Sequence, residues 1–330
     1  MKKRLCLILA IVAAFTAFVG VSSASAATEF GSGCAAEEGE EFLDLISTGH
    51  GPGSPLPVTA PISGVVTEWR LNLGLSTGPV PPELEEFIGA LYGQKLQIFS
   101  DAGGGNYTLT AESAPTSRLN LSGTTTSTTR LPIKAGQYLG LRGNFFTFYC
   151  ETSSAADKLG YIEGPPFPSV GSTAHFETTE GFQVPVVARI EPDVDGDGYG
   201  DETQDQCPQS AAYQTPCPVV TISSLPTVAK NAVTLYVSTS LSAPVGVTAS
   251  VKLPKGKPVT LTAAAQTVAP GSLTPFKITL NSKVKKALKE LPKSKSLKMS
   301  ITASATNVTG APSTSVKTVK LKGQAKPKKK

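Results

Sequence analysis

The sequence has few of the residue types from which most enzyme sites are built. Only two of its 330 residues are histidine, His50 and His175, and only one is tryptophan. A catalytic triad needs a histidine beside a nucleophile and a carboxylate, but no Gly-x-Ser-x-Gly motif is present. His-Glu-x-x-His, Cys-x-x-Cys and phosphate-loop motifs are also missing. We therefore predict that the protein is not an enzyme.

Long apolar runs are missing after the first 21 residues. Residues 1–4 are basic, residues 5–21 are uncharged and mostly apolar, and a small-residue Ala24-Ser25-Ala26 site follows. This order predicts a secretory signal peptide over 1–26. A membrane anchor is the alternative, but the run is shorter than the ~20 residues needed to span a bilayer. We expect a secreted protein without a transmembrane segment after cleavage, retained at the cell surface, if at all, non-covalently.

Acidic residues almost disappear from the C-terminal third of the chain. Residues 219–330 contain 19 lysines, no arginine and one acid, Glu290, for a net charge of +18. Residues 27–190 carry 8 basic and 17 acidic residues (−9), and residues 191–218 carry 0 and 7 (−7). The basic part could bind an anionic cell-wall polymer, dock on the acidic segment, or simply be solubilised by its lysines. Its lack of arginine argues against sequence-specific nucleic-acid binding.

Cysteine is scarce but even in number after the signal peptide. The four remaining cysteines are Cys34, Cys150, Cys207 and Cys217. An even number in a secreted chain predicts disulfides, and four cysteines allow three pairings. We favour Cys34–Cys150 and Cys207–Cys217, since the second pair would close a short loop.

What the sequence does contain is a dense acidic stretch, residues 191–206. Asp193, Asp195, Asp197 and Asp201 occupy positions 1, 3, 5 and 9 of a D-x-D-x-D-G-x-x-D pattern. Calcium prefers six to eight oxygen ligands, and carboxylates on alternate residues of a tight loop can converge on one ion. The carbonyl of Tyr199 would be the backbone ligand at position 7. The pattern predicts a calcium site, with a solvated acidic linker as the alternative.

This stretch resembles a thrombospondin type 3 repeat, a calcium-binding unit of secreted proteins, here in a chain that resembles bacterial secreted proteins. The resemblance implies that the four aspartates of the pattern are calcium ligands. Position 12, where the repeat has Asp, is Gln204, and the next acid is Asp205. A one-residue insertion explains the shift, so Asp205 is the expected closing ligand, with Glu202 as its competitor.

Short alternating or β-branched stretches, separated by Gly, Pro and Ser clusters, flank the acidic stretch on both sides. We expect strands at 64–73, 95–99, 107–111, 130–133, 138–141, 145–150 and 184–190, and at 219–222, 232–238, 245–253, 259–263, 276–280, 297–305 and 315–321. Helices are expected at 82–91 and 282–291.

The pattern predicts an all-β protein with two β-sandwich domains. The first, 27–190, is expected to be jelly-roll-like, and the second, 219–323, immunoglobulin-like. The calcium loop with its cysteine pair, 191–218, would join them, and 324–330 would be a basic tail.

We predict a non-catalytic surface, adhesion or glycan-binding protein whose central loop is a spacer made rigid by calcium. Trp69, Tyr107 and Tyr138 could form a sugar-stacking surface, although strand aromatics more often pack in the core. A secreted hydrolase is one alternative, and it requires a histidine in a cleft beside carboxylates. A purely structural component of the cell-envelope matrix is the other.

Overall fold

The computed structural model describes residues 26–324 apart from residues 37, 53, 75–80, 224–225, 230 and 309–312. Residues 1–25 of the predicted signal peptide and residues 325–330 of the basic tail lie outside the described residues. The described part contains 22 strands and two short helices, so the predicted all-β, multi-sandwich fold is confirmed. Within it, no helix combines the length and apolar character needed to cross a membrane.

The segment before the acidic stretch forms three antiparallel sheets. Its strands are β1 (Thr28–Gly31), β2 (Glu38–Glu41), β3 (Leu43–Gly49), β4 (Gly64–Asn72), β5 (Gln94–Gly103), β6 (Asn106–Glu112), β7 (Thr124–Ile133), β8 (Tyr138–Gly143), β9 (Phe146–Glu151), β10 (Lys158–Glu163), β11 (Thr173–His175), β12 (Glu177–Glu180), β13 (Phe182–Gln183) and β14 (Val186–Glu191). The sheet orders are β1-β14-β4-β7, β11-β6-β5-β8-β3-β10-β12 and β13-β9-β2.

The main core of this sandwich lies between the four-stranded and seven-stranded sheets. Alternate residues of β4 turn inward, and Val66, Trp69 and Leu71 meet Leu96 and Leu141 of the facing sheet. A smaller second core covers the outer face of the seven-stranded sheet and is formed by Ile46, Phe99, Leu109 and Phe176. The central strands of this sheet are therefore buried on both faces.

The segment after the acidic stretch forms two four-stranded sheets packed face to face. Its strands are β15 (Val220–Ile222), β16 (Thr227–Val228), β17 (Ala232–Thr239), β18 (Ala243–Val251), β19 (Val259–Val268), β20 (Thr274–Thr279), β21 (Ser296–Ala305) and β22 (Thr314–Lys322). One sheet has the order β15-β17-β16 with β20 paired to β17, and the other is β19-β18-β21-β22. On β22, Val319 and Leu321 point into the core while Lys320 and Lys322 are exposed. The lysines thus lie on outward strand positions.

The two helices differ in how they use their apolar residues. In α2 (Ser282–Glu290), Val284 and Leu288 are buried, and the N-cap residue is Asn281. The side chain of Asn281 accepts a hydrogen bond from the Val284 backbone at 3.0 Å, which satisfies a free amide of the first turn. In α1 (Pro82–Tyr92) the apolar side chains are largely exposed, with Phe87 60% accessible.

Two disulfides join the pairs favoured from the sequence. Cys34, after β1, is bonded to Cys150 of β9, with their Cα atoms 6.3 Å apart. Cys207 is bonded to Cys217, with a Cα–Cα distance of 4.9 Å. Cys207 is fully buried in the core of the C-terminal sandwich. The acidic stretch therefore begins at the last residue of β14 in the N-terminal sandwich and ends next to Cys207, which lies in the core of the C-terminal sandwich.

Candidate metal centre

Glu191, the last residue of β14, anchors the start of the acidic loop. Its side chain is fully buried. Its carboxylate accepts hydrogen bonds from the Thr67 hydroxyl at 3.0 Å and from the Glu202 and Thr203 backbone amides at 3.0 and 2.8 Å. Hydrogen bonds to a charged group are about twice as strong as neutral ones. The second half of the loop is therefore folded back onto the end of β14.

Gly200 makes this close approach possible. A Cβ atom at this position would lie 2.5 Å from Thr67 Cγ2 and 2.6 Å from Glu191 Oε2. The carbonyl of Gly200 also accepts hydrogen bonds from the Gln204 and Asp205 amides at 3.0 and 2.9 Å. This residue is required by packing, and its role is independent of the D-x-D-x-D-G register.

The first three aspartates of the loop converge. One carboxylate oxygen from each of Asp193, Asp195 and Asp197 lies within 4.8 Å of the other two. The Asp193 carboxylate is fixed by the Gly196 amide at 2.8 Å and the Gly198 amide at 3.0 Å. Both glycines have positive φ, 75° and 84°, a conformation that glycine adopts without steric cost. The loop backbone therefore turns tightly around the carboxylates.

Asp201 and Asp205 add two further carboxylates, and the charges of neighbouring aspartates act on both. Among the described residues, Asp195, Asp201 and Asp205 each have one buried carboxylate oxygen without a hydrogen-bond partner. Asp205 is only 4% exposed. A buried charged oxygen without a partner is costly, and a bound cation would remove that cost.

The pKa values of these carboxyl groups are raised by burial and by the neighbouring negative charges. Burial, reinforced by the charges of Asp193, Asp195 and Asp205, raises the pKa of Asp201 to about 6. Burial and neighbouring aspartates also raise the pKa values of Asp195 and Asp205. Desolvation and like charges both disfavour the ionised form. A bound divalent cation would reverse this effect and hold the carboxyls ionised.

The structure separates the two residues that competed for the closing position. Glu202 is turned to Arg189, whose guanidinium lies 2.9 Å from its carboxylate. Asp205 instead presents its buried, unpartnered oxygen. Gln204, which occupies the nominal twelfth position, donates to the Thr129 carbonyl at 2.8 Å and so ties the loop to β7. Asp205 is accordingly the residue of the three that is free to bind an ion.

Tyr199 and Gln214 also contact the site. The ring of Tyr199 lies under the Arg130 guanidinium, 4.0 Å from the ring centroid, while its amide donates to Asp197 at 2.9 Å. The role expected for the Tyr199 carbonyl stays a prediction. Gln214 donates from Nε2 to Asp197 Oδ2 at 2.7 Å. Sequence reasoning missed Gln214, because it lies outside the repeat pattern.

The chemistry of the donor set suits calcium. The candidate ligands are carboxylate oxygens, without a nitrogen or sulfur donor among them, and calcium is a hard cation that binds oxygen. Zinc sites are built mainly from cysteine and histidine, and neither residue is among the candidate ligands. Asp193, Asp195, Asp197, Asp201 and Asp205 would hold the ion, and its charge would neutralise theirs.

The aromatic ligand surface predicted from the sequence is not formed as expected. The prediction that Trp69 belongs to this surface is wrong, because Trp69 is 1% exposed and packs in the main core. Tyr107 and Tyr138 lie on the other sheet, where they pack against the second core and contact each other edge-on with centroids 5.7 Å apart. The two tyrosines are brought together, and the tryptophan is not.

The two histidines lie in different places. His50 is partly buried, with its Nε2 3.1 Å from the Ser47 hydroxyl and its Nδ1 3.2 Å from the Leu56 carbonyl. Ser47 is only 2% exposed, so its hydroxyl is closed to a substrate. The nearby Asp157 carboxylate accepts instead from the Gly51 amide at 2.6 Å. His175 is exposed on the edge strand β11.

Comparisons with known proteins give no family. No family model matches the chain, and no curated protein matches it. One similar solved structure is a calcium-binding mutant of Bacteroides uniformis beta-glucuronidase 2, at 11% identity and a TM-score of 0.21, covering 89% of this chain and 33% of that chain. The same enzyme covalently bound to cyclophellitol-6-carboxylate aziridine gives 11% identity and a TM-score of 0.19, with coverages of 89% and 32%. The chain spans about a third of these structures, and TM-scores this low carry no inference about its function.

Proposed function

We propose that this protein is a secreted, non-catalytic, calcium-binding protein of the bacterial cell surface. In this proposal the ligands are Asp193, Asp195, Asp197, Asp201 and Asp205, with the carbonyl of Tyr199, as in the thrombospondin type 3 repeat that the loop resembles. The observation that carries the proposal is the convergence of three carboxylates, together with the buried, unpartnered oxygen of Asp205, on which their charges act. Two disulfides and the lack of a membrane-spanning helix among the described residues are compatible with an extracellular location.

Calcium would act here as a structural ion between the two sandwiches. Without it, the loop concentrates seven acidic residues between 191 and 218 without a lysine or arginine. With it, the loop between Glu191 and Cys207 becomes a fixed spacer, because the ion cross-links carboxylates from both halves of the loop. Within residues 191–218, the side chain of Gln204 already donates a hydrogen bond to Thr129 on one side, and that of Ser210 donates one to Asn307 on the other. The spacer would thus set the separation of the two domains and resist proteolysis.

Calorimetric titration of calcium into the chain beginning at Ala27 tests this proposal. We expect one site, which the Asp195→Ala/Asp197→Ala variant loses. The matched control is Glu83→Ala/Glu86→Ala, which removes two exposed carboxylates from α1 and should bind like the wild type. Absence of binding at millimolar calcium, where the weakest extracellular sites are still occupied, would leave the loop as an acidic linker.

The basic sandwich is the part suited to hold the protein at the envelope. Its net charge of +18 over 219–330 favours an anionic cell-wall polymer as partner, with the N-terminal sandwich free for a surface glycan that Tyr107 and Tyr138 could contact. Charge-driven binding falls with ionic strength, since the Debye length shrinks to about 3 Å at 1 M salt. Co-sedimentation with purified cell walls should therefore be lost at high salt. Binding that survives 1 M salt would contradict electrostatic attachment.

A further inference from the structure

The N-terminal sandwich has a small pocket away from the acidic loop, where its main core opens to solvent. The pocket has a volume of about 170 Å³ and lies between the three-stranded sheet and the β3-β10-β12 end of the seven-stranded sheet. Its floor is made of Leu43, Leu45 and Leu159, which belong to the core cluster. A space of this size admits only a fragment-sized group, since pockets for drug-sized ligands begin at about 300 Å³.

Aromatic rings form the side walls. Tyr149 comes from β9, Tyr161 from β10 and Phe182 from β13. Tyr149 and Phe182 contact each other edge-to-face with ring centroids 5.6 Å apart. The hydroxyl of Tyr161 donates to Glu177 at 3.1 Å, which adds electron density to that phenol and fixes its ring. Each ring therefore has one contact that restricts its orientation.

Carboxylates stand at the mouth. Glu40 and Glu163 are both exposed and both line the pocket. They come from opposite walls, because Glu40 is on β2 and Glu163 on β10. No lysine, arginine or histidine is among the described lining residues, and neither carboxylate takes part in an ion pair among the described residues. The pocket thus combines aromatic rings with negative charge that no basic lining residue offsets.

We propose that this pocket binds the ammonium head of a small organic cation. Aromatic faces attract cations through their quadrupole, and quaternary ammonium groups are recognised by cages of such rings. The apolar floor suits the methyl groups of such a head, while Glu40 and Glu163 supply the opposite charge. A neutral sugar fits less well, because the floor is leucine and the walls offer few hydrogen-bond donors. This site is independent of the calcium loop and of the proposed envelope attachment.

Choline and its uncharged isostere 3,3-dimethyl-1-butanol provide a matched pair of probes. In NMR titrations of the chain beginning at Ala27, choline should bind in the millimolar range and shift signals of the pocket residues. The isostere, which has the same shape without the charge, should bind about tenfold more weakly or not at all. Equal affinity for both probes, or no binding of choline, would overturn the proposal. Binding of a neutral monosaccharide with choline silent would assign the pocket to a glycan instead.

Two variants locate the binding. Glu163→Gln keeps the shape of an exposed side chain and removes one charge, and it should weaken choline binding about two- to fivefold without changing the fold. Tyr149→Leu removes one ring and should weaken it by a similar factor. Glu180→Gln is the control, because Glu180 lies on the neighbouring strand β12 and is paired with Lys158 at 3.5 Å. If Glu180→Gln weakens choline binding as much as Glu163→Gln, the attraction is a general effect of charge and the pocket assignment fails.

Discussion

Calcium should change both the stability of the protein and the direction in which stability depends on pH. The perturbation is removal of calcium by a chelator, followed by unfolding at a series of pH values. In the ion-free state, Asp201 has a pKa of about 6, whereas an unfolded aspartate titrates at about 3.9. Between about pH 4 and pH 6 the folded state therefore binds more protons than the unfolded state. Stability of the ion-free protein should fall as the pH rises through this window.

The size of the effect follows from the same values. The difference between these two pKa values corresponds to roughly 3 kcal/mol, but Asp201 is only partly buried, so screening by solvent reduces this to roughly 1–2 kcal/mol. Asp195 and Asp205, whose pKa values are also raised, add in the same direction. Calcium at about 100 times its dissociation constant adds about 2.7 kcal/mol at pH 7.5. This gain should shrink towards pH 5, because protons compete with the ion for the carboxylates.

Thermal unfolding followed by circular dichroism measures both effects. For a domain of 150–250 residues, a gain of 2.7 kcal/mol raises the midpoint by about 5–10 °C. The Asp195→Ala/Asp197→Ala variant should show no calcium-dependent shift and a weaker dependence on pH. An ion-free wild type that becomes more stable from pH 4 to pH 6 would refute the reasoning, since the loop carboxyls would then be stabilised when ionised without a cation.

Three further predictions test other parts of the structure. Gly200→Ala should lower the free energy of unfolding by about 1–3 kcal/mol through overpacking, and it should weaken calcium binding. Unfolding measures the first effect and calorimetry the second. An unchanged calcium affinity would show that Gly200 does not position the loop. Asp44 is fully buried 3.5 Å from Arg142, and burial raises its pKa to about 7, so its share of stability falls as pH rises from about 4 to 7. Asp44→Asn should flatten that dependence in urea unfolding, and an unchanged slope would contradict it. The amide nitrogen of Ala27 lies 2.6 Å from the Glu202 carboxylate. A chain that begins at Ala27 has a charged amino terminus at this position, and it should be about 0.5–1 kcal/mol more stable than a chain with further residues before Ala27. Glu202→Gln should abolish that difference.

The convergence of Asp193, Asp195 and Asp197 could be predicted because their spacing is local. Alternate aspartates and the glycines between them lie within a dozen residues, and a tight loop brings such positions together whatever surrounds it. The residues that hold the loop could not be predicted in this way. Glu191 appears in the sequence as one more acid, yet its burial depends on Thr67, more than a hundred residues earlier in the chain. Gln214 likewise reaches Asp197 only after the Cys207–Cys217 disulfide turns the chain back.

One strand that the sequence pattern missed is β3, which is covered on both faces. Strands at 64–73 and 184–190 were expected and correspond to β4 and β14, each of which has one face in the main core. The sequence of β3, Leu43–Gly49, does not alternate, because Asp44 and Ile46 are buried on one side and Leu45 on the other. Period-two patterning identifies half-buried strands, and β3, which lacks that alternation, was overlooked.

A cluster of charged side chains on the outer face of the seven-stranded sheet could not be predicted from the sequence either. Asp44 on β3, Arg142 on β8 and Glu112 on β6 come from separate strands and meet on the outer face of the seven-stranded sheet. Each residue is a single polar exception within its own strand pattern. Only the order of the strands in the sheet brings them together, and that order depends on long-range pairing rather than on local sequence.

The anchoring of the acidic loop decides whether an ion is needed there. Two unit charges 4.8 Å apart repel by roughly 3 kcal/mol at an effective dielectric constant of about 20. A free linker would relieve this repulsion by spreading into solvent. This loop is held at one end by the buried carboxylate of Glu191 and at the other by Cys207 in the second core. Because hydrogen bonds to a charged group contribute about 1.5–3 kcal/mol each, the anchors can hold the carboxylates together without an ion, at a cost in repulsion that a bound calcium ion would remove. A loop held in this way would convert the proposed calcium binding directly into stability at the junction of the two sandwiches.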